Sequence, residues 1–146
     1  MSRIPLDEYY LRTLQLLAQR STCIRRKVAC IITTENGVVL STGYNGVPRG
    51  IFHCLEAPCA GANDPPGDTN RCLAVHAEQN AMLQCTQLDK AHTMYVTCTP
   101  CFTCAKMIAN TNVRVVICLE HYADERAADV FNQSGITLKY GQASTT

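Results

Sequence analysis

The chain has 146 residues, 47% of them hydrophobic and 17% charged, with 13 Lys+Arg set against 12 Asp+Glu. That length suits one compact domain over residues 1–146, and no apolar run approaches the roughly 18 to 20 residues needed to cross a bilayer, so no helical membrane span is expected. A net charge of +1 supplies no strong field for gripping a long polyanion, which argues against a nucleic-acid partner and for a small charged substrate.

Pro5 followed by Asp7 and Glu8 suits a helix start, and Leu6, Tyr10, Leu14 and Leu17 share one face, so residues 5–19 read as an amphipathic helix. The acids in this opening segment stand where a signal peptide has its apolar stretch, which points to a cytoplasmic protein. Strands are expected over 27–33 and 38–43, joined antiparallel by Asn36-Gly37, a strong signal for a tight hairpin turn. Residues 44–72 are rich in Gly, Pro, Asn and Cys, and so long a loop in a compact domain is functional or tied down. There follow a helix over 74–85, a buried strand over 93–98, a helix over 102–110, a buried strand over 113–119, a helix over 123–133 stopped near Gly135, and a last strand over 136–140. The order αββαβαβαβ predicts an α/β fold, a five-stranded mixed sheet with helices packed on its faces. Only the tail over 141–146 reads as disordered.

Ten cysteines would suggest disulfides in a short secreted chain, but in a reducing compartment they point to metal ligation. Two segments stand out: His76-Ala77-Glu78, and Pro100-Cys101-Phe102-Thr103-Cys104. Pro100 can open a helix after a strand, and Cys101 and Cys104 then lie three apart on its first turn, where both sulfurs can face one point and the helix N-terminus favours thiolates. Two thiolates and the His76 imidazole leave the fourth tetrahedral position of a Zn²⁺ ion open to water, the mark of a catalytic zinc, and such water ionises near neutral pH. Glu78 can miss the metal and still reach that water as a proton carrier. A lone CxxC is equally a redox pair or half of a structural zinc site, and HxE occurs by chance in helices. Together, in this order, they match the zinc deaminase signature H-x-E…P-C-x-x-C.

With HAEQNA (76–81), TPCFTCAKMI (99–108) and the loop Gly43-Tyr44-Asn45-Gly46-Val47-Pro48-Arg49-Gly50, the chain resembles the deoxycytidylate deaminases of the cytidine deaminase superfamily over residues 4–140. The resemblance implies a three-layer α/β/α fold and hydrolytic deamination of dCMP to dUMP and ammonia, which supplies dUMP for thymidylate synthesis. It places Asn45 on the deoxyribose, Tyr122 as the ring stacked on cytosine and Thr99 beside the substrate. The GYNG loop, through Gly43, Tyr44, Asn45, Gly46 and Arg49, is implied to build a regulatory site activated by dCTP and inhibited by dTTP, with Mg²⁺ accompanying the triphosphate. A homohexamer is implied as well.

The physical reading is compatible. Glycines let backbone approach a ligand, and Tyr44 offers a stacking face. The Ala77 backbone N–H is a fixed donor for the base carbonyl, and Ser21 and Arg26 are favoured for the phosphate, although Arg25, Arg26 and Lys27 also read as a solvated charge run and Arg49 is an alternative cation. The family has Gly where this chain has Ala29. Cys30, Cys85, Cys98 and Cys118 read as inert core thiols. Cys23, Cys54, Cys59 and Cys72 flank or occupy the long loop, where four thiolates could close a structural zinc site, with His53 as a substitute ligand and free loop thiols as the alternative. Some family members carry a second zinc there, with ligands matching Cys23 and Cys54. Two rival functions stand beside this one: deamination of a tRNA or DNA base, and a noncatalytic zinc-binding module in which Glu78 carries no proton.

Overall fold

The computed structural model describes residues 2–143. Its elements are α1 (Leu6–Ala18), β1 (Ala29–Thr33), β2 (Val39–Tyr44), α2 (Ala77–Gln84), β3 (Thr93–Cys98), α3 (Phe102–Ala109), β4 (Val115–Glu120), α4 (Arg126–Ser134) and β5 (Thr137–Tyr140), with a 3₁₀ turn at Leu88–Lys90. The five strands form one sheet in the order β2-β1-β3-β4-β5; β1 pairs antiparallel with β2 and β3, whereas β3, β4 and β5 run parallel.

Period-two alternation splits the core into two layers. Cys30, Ile32, Met94, Val96, Val116 and Cys118 face α2, α3 and α4, which add Ala81, Ile108 and Phe131. Ala29, Ile31, Tyr95 and Ile117 point the other way, onto Tyr10, Leu11, Leu14 and Ala18 of α1. All five residues of β1 are buried, as its position between two strands and beneath helices on both faces requires. This is the expected three-layer α/β/α arrangement on a mixed sheet.

Several boundaries differ from the sequence expectation. The stripe that α1 buries is Tyr10, Leu11, Leu14 and Ala18, and Leu6 stays 45% exposed. β1 starts at Ala29 because the Val28 N–H donates to the Asn45 side chain (2.9 Å). The hairpin turns through three residues: Thr34 N–H donates to Val38 O (2.9 Å), Gly37 N–H to Thr34 O (3.0 Å), and only Gly37 is left-handed, with φ +83. A two-residue Asn-Gly turn would need both residues left-handed, whereas a three-residue loop needs only its glycine. α2 starts at Ala77, since Val75 is held extended in an isolated antiparallel bridge to Gly46. The tail expected to be disordered is placed over 141–143: Gly141 N–H donates to Cys118 O (2.9 Å), and Ala143 packs on the α1 layer. Residues 144–146 lie outside the described residues.

Candidate metal and nucleotide site

Two short helices aim their N-termini at one point. His76 is the N-cap of α2, its backbone N–H donating to Gln79 Oε1 at 2.8 Å, and the Gly46–Val75 bridge fixes the chain just before it. Cys101 is the N-cap of α3, whose start at Phe102 agrees with the helix expected over 102–110. Pro100 lies just outside the helix, and the Cys104 N–H donates to Cys101 Sγ at 3.5 Å. His76 Nδ1 lies 3.5 Å from Cys101 Sγ and 3.4 Å from Cys104 Sγ. Metal–nitrogen and metal–sulfur bonds of about 2.1 and 2.3 Å at a tetrahedral angle put N and S about 3.6 Å apart, so the three atoms fit a shared Zn²⁺. Among the described residues these three form the one group of His, Cys, Asp or Glu with ligand atoms all within 4.8 Å of one another.

Burial and charge distinguish the groups around that point. Glu78 is 4% exposed, and loss of hydration raises its carboxyl to about 6. Cys101 is lowered to about 4 by the Cys104 thiol and the His76 ring, while Cys104, which donates to it and is buried, is raised. The pair therefore gives up one proton readily, from Cys101, and keeps the other on Cys104. Burial raises Cys98 to about 11 and also raises Cys30 and Cys118.

A cavity of ≈ 790 Å³ opens in front of this cluster, within the size range of small-molecule sites. His76, Ala77, Glu78 and Cys101 lie at its floor, with Cys98, Thr99, Asn45, Arg26 and Tyr122 around it. Cys98 thus lines the site, whereas Cys30 and Cys118 are wholly buried. Cys85 is half-buried at the end of α2, outside the expected core. Ala77 opens α2, where backbone N–H groups have no intrahelical acceptor.

Asn45 is 8% exposed and mostly committed to the protein. Its Oδ1 accepts from Ser21 Oγ (2.5 Å) and from Val28 N–H (2.9 Å), and its Nδ2 donates to Arg26 O (2.7 Å). One amide hydrogen remains for a ligand. Ser21, 2% exposed, thus gives its hydroxyl to Asn45 and does not line the cavity; the structure offers no phosphate role for it. Arg26 does line the cavity, pairing with Glu120 (3.0 Å) and lying 5.8 Å from the Tyr122 ring centroid.

The GYNG loop does structural work. A methyl group on Gly43 would come 2.4 Å from Ala77 O and 2.5 Å from Ala81 N, so Gly43 lets α2 lie against β2. Tyr44 O accepts from Asn80 (2.9 Å), Gly46 makes the Val75 bridge, and Arg49 is exposed.

The loop cysteines gather partway. Cys59 N–H donates to Cys54 Sγ at 3.3 Å, and the Cys59 sulfur accepts side-chain hydrogen bonds from Cys54 and Cys72. The four are not all within 4.8 Å of one another. His53 lines a second cavity, of ≈ 260 Å³, with Phe52 and Glu56.

Sequence reasoning missed several contributors to the cavity, among them Phe102, Asp124, Arg126 and the wall formed by Asp64, Pro66, Gly67 and Thr69. Arg126 lies 4.6 Å from the Phe102 ring centroid and pairs with Asp124 at 2.6 Å. The proximity of Phe102 to the metal motif was the only signal available for any of them.

Residues 5–120 match the sequence family described as the cytidine and deoxycytidylate deaminase zinc-binding region. The chain is 36% identical over 139 residues to a deoxycytidylate deaminase of Saccharomyces cerevisiae, covering 91% of this chain and 44% of the yeast protein. It is 40% identical over 124 residues to the deoxycytidylate deaminase of Mycobacterium phage D29, covering 80% and 96% respectively. Among solved structures, the dCMP deaminase of cyanophage S-TIM5 in complex with dCMP and dUMP superposes with a TM-score of 0.76 at 30% identity, covering 97% of this chain and 100% of that one. The chain thus spans less than half of the yeast relative and nearly all of the phage one.

Proposed function

Because the chain belongs to the cytidine and deoxycytidylate deaminase family, we propose that it hydrolyses dCMP to dUMP and ammonia. The observation that carries this reading is Glu78, buried beside a His-Cys-Cys cluster of zinc-binding dimensions at the floor of a nucleotide-sized cavity. His76, Cys101 and Cys104 would hold the zinc, which when bound supplies a water nucleophile at neutral pH.

The chain's own groups account for the rest. Glu78, raised to about 6, is matched to working pH as a proton carrier. It takes a proton from the attacking water and gives it to ring N3, then takes the second proton from the hydroxyl newly added at C4 and passes it to the departing amino group. Water adds and ammonia leaves, so atoms balance. In this reading the Ala77 N–H serves the base carbonyl, the spare Asn45 amide hydrogen the sugar, Tyr122 the face of the ring, Arg26 the phosphate and Thr99 the substrate beside it, and all five residues line the cavity. Incubating the purified protein with dCMP, CMP, dCTP and deoxycytidine and measuring ammonia tests the reading; activity on none of them sinks it.

Finer features follow from the same membership. The relatives named deoxycytidylate deaminases support a place in dUMP supply. Exposed Arg49 and half-buried Tyr44, both in the GYNG loop, support dCTP and dTTP binding with Mg²⁺ there, at a contact within a homohexamer. The contacts of Cys59 with Cys54 and Cys72 support a structural zinc completed by Cys23; metal analysis showing one zinc per chain removes that part, and an assay insensitive to dCTP and dTTP removes the regulation.

A further inference from the structure

Arg25 and Arg26 are adjacent in sequence and both line the cavity, but it is Arg26 whose guanidinium lies 5.8 Å from the Tyr122 ring centroid. The Arg25 guanidinium turns into the long loop. Its Nη1 donates to Gly61 O (3.2 Å) and Asp68 O (2.8 Å), and its Nη2 donates to Pro65 O (3.0 Å). Those carbonyls belong to two successive turns, closed by Asp64 N–H to Gly61 O (3.1 Å) and Asp68 N–H to Pro65 O (3.0 Å). The stretch contains no helix or strand to fix it. The rigid planar fork of arginine suits such a task, since it can reach several acceptors at once without rearranging.

What Arg25 holds is one side of the site. Asp64, Pro66, Gly67 and Thr69 line the cavity, and Gly67, left-handed at φ +87, sits where an added methyl would lie 3.9 Å from the Tyr122 hydroxyl. The wall therefore meets the ring assigned to base stacking.

We propose that Arg25 is a positioning residue: it fixes the wall over residues 61–69 against Tyr122, and that wall, unlike Arg26, governs affinity for the nucleoside part of the ligand. The inference rests on reading the cavity as a nucleotide site. Its consequence is that two neighbouring arginines have separable effects, one independent of the phosphate and one dependent on it.

The test uses the full zinc-loaded chain, with calorimetric binding of dUMP and of deoxyuridine and amide hydrogen exchange as readouts. Arg25→Ala is expected to weaken both ligands by the same factor, on the order of tenfold, and to speed exchange over 61–69 while β1 and β3 stay protected. Arg26→Ala is expected to weaken dUMP alone. Arg25→Lys, which keeps the charge but not the fork, should fall between wild type and Arg25→Ala, and carries the comparison if the alanine variant does not fold. Weakening of dUMP with deoxyuridine unaffected would make Arg25 a phosphate ligand and overturn the proposal, as would unchanged affinity with unchanged exchange. Failure of the wild type to bind dUMP would instead remove the nucleotide reading itself.

Discussion

The hydroxyl of Tyr140, near the end of the described chain, lies 2.7 Å from Oγ1 of Thr99, beside the metal-binding helix. Thr99 Oγ1 accepts from the Tyr122 N–H at 3.3 Å and directs its own hydrogen to Glu120 O at 3.4 Å, so Tyr140 is the donor. The Tyr140 ring also stacks on His121 at 3.6 Å. The last strand thus steadies the segment carrying Tyr122, although Tyr140 does not line the cavity.

Replacing Tyr140 by Phe keeps the stack and removes one hydrogen bond to a buried acceptor, a loss of about 1 kcal/mol. The expected result is a severalfold rise in KM for dCMP with kcat little changed, read from steady-state ammonia release. An unchanged KM would show that Tyr122 is held without it.

Gly43→Ala separates packing from ligand binding at the GYNG loop. The added methyl meets backbone of α2 at 2.4 and 2.5 Å, and backbone cannot yield as a flexible side chain can. Overpacking of this kind costs about 1 to 3 kcal/mol, and here it displaces the helix carrying His76 and Glu78. The variant should unfold at a lower temperature and release zinc to a chelator faster than wild type. Normal melting and metal retention would mean that the glycine serves something else.

Tyr95 gives the fold an alkaline limit. Its hydroxyl donates to Asp7 Oδ1 at 2.7 Å, and burial first, then that carboxylate, raise the phenol above its usual range. A raised folded-state value means the contribution is complete below the unfolded value of about 10 and is lost as pH rises beyond it. Wild type should therefore lose stability more steeply than Tyr95→Phe above about pH 10, by denaturant titration. Parallel profiles would contradict the assignment.

Much of the site could be read from the sequence because its parts are local. His76 and Glu78 share one helix start, Cys101 and Cys104 another, and the strand pattern orders the sheet that brings the two together. Asn45 and the glycines were harder to interpret. Their place in a ligand-like motif suggested contact with a ligand, whereas Gly43 makes room for α2, Gly46 pins Val75, and Asn45 binds three groups of its own chain. Arg25 was illegible for a different reason. Its partners lie 36 to 43 residues away and are backbone carbonyls, which leave no trace in side-chain pattern.

The central claim, that Glu78 moves protons beside a zinc ion it does not bind, is tested most directly by Glu78→Gln, with zinc content and ammonia release from dCMP measured on the same preparation. The account predicts zinc at the wild-type level and a loss of turnover of at least a hundredfold, the lower end of about 10²–10⁴ for removing a general acid–base group. Near-wild-type turnover in a variant that still holds its zinc would contradict it.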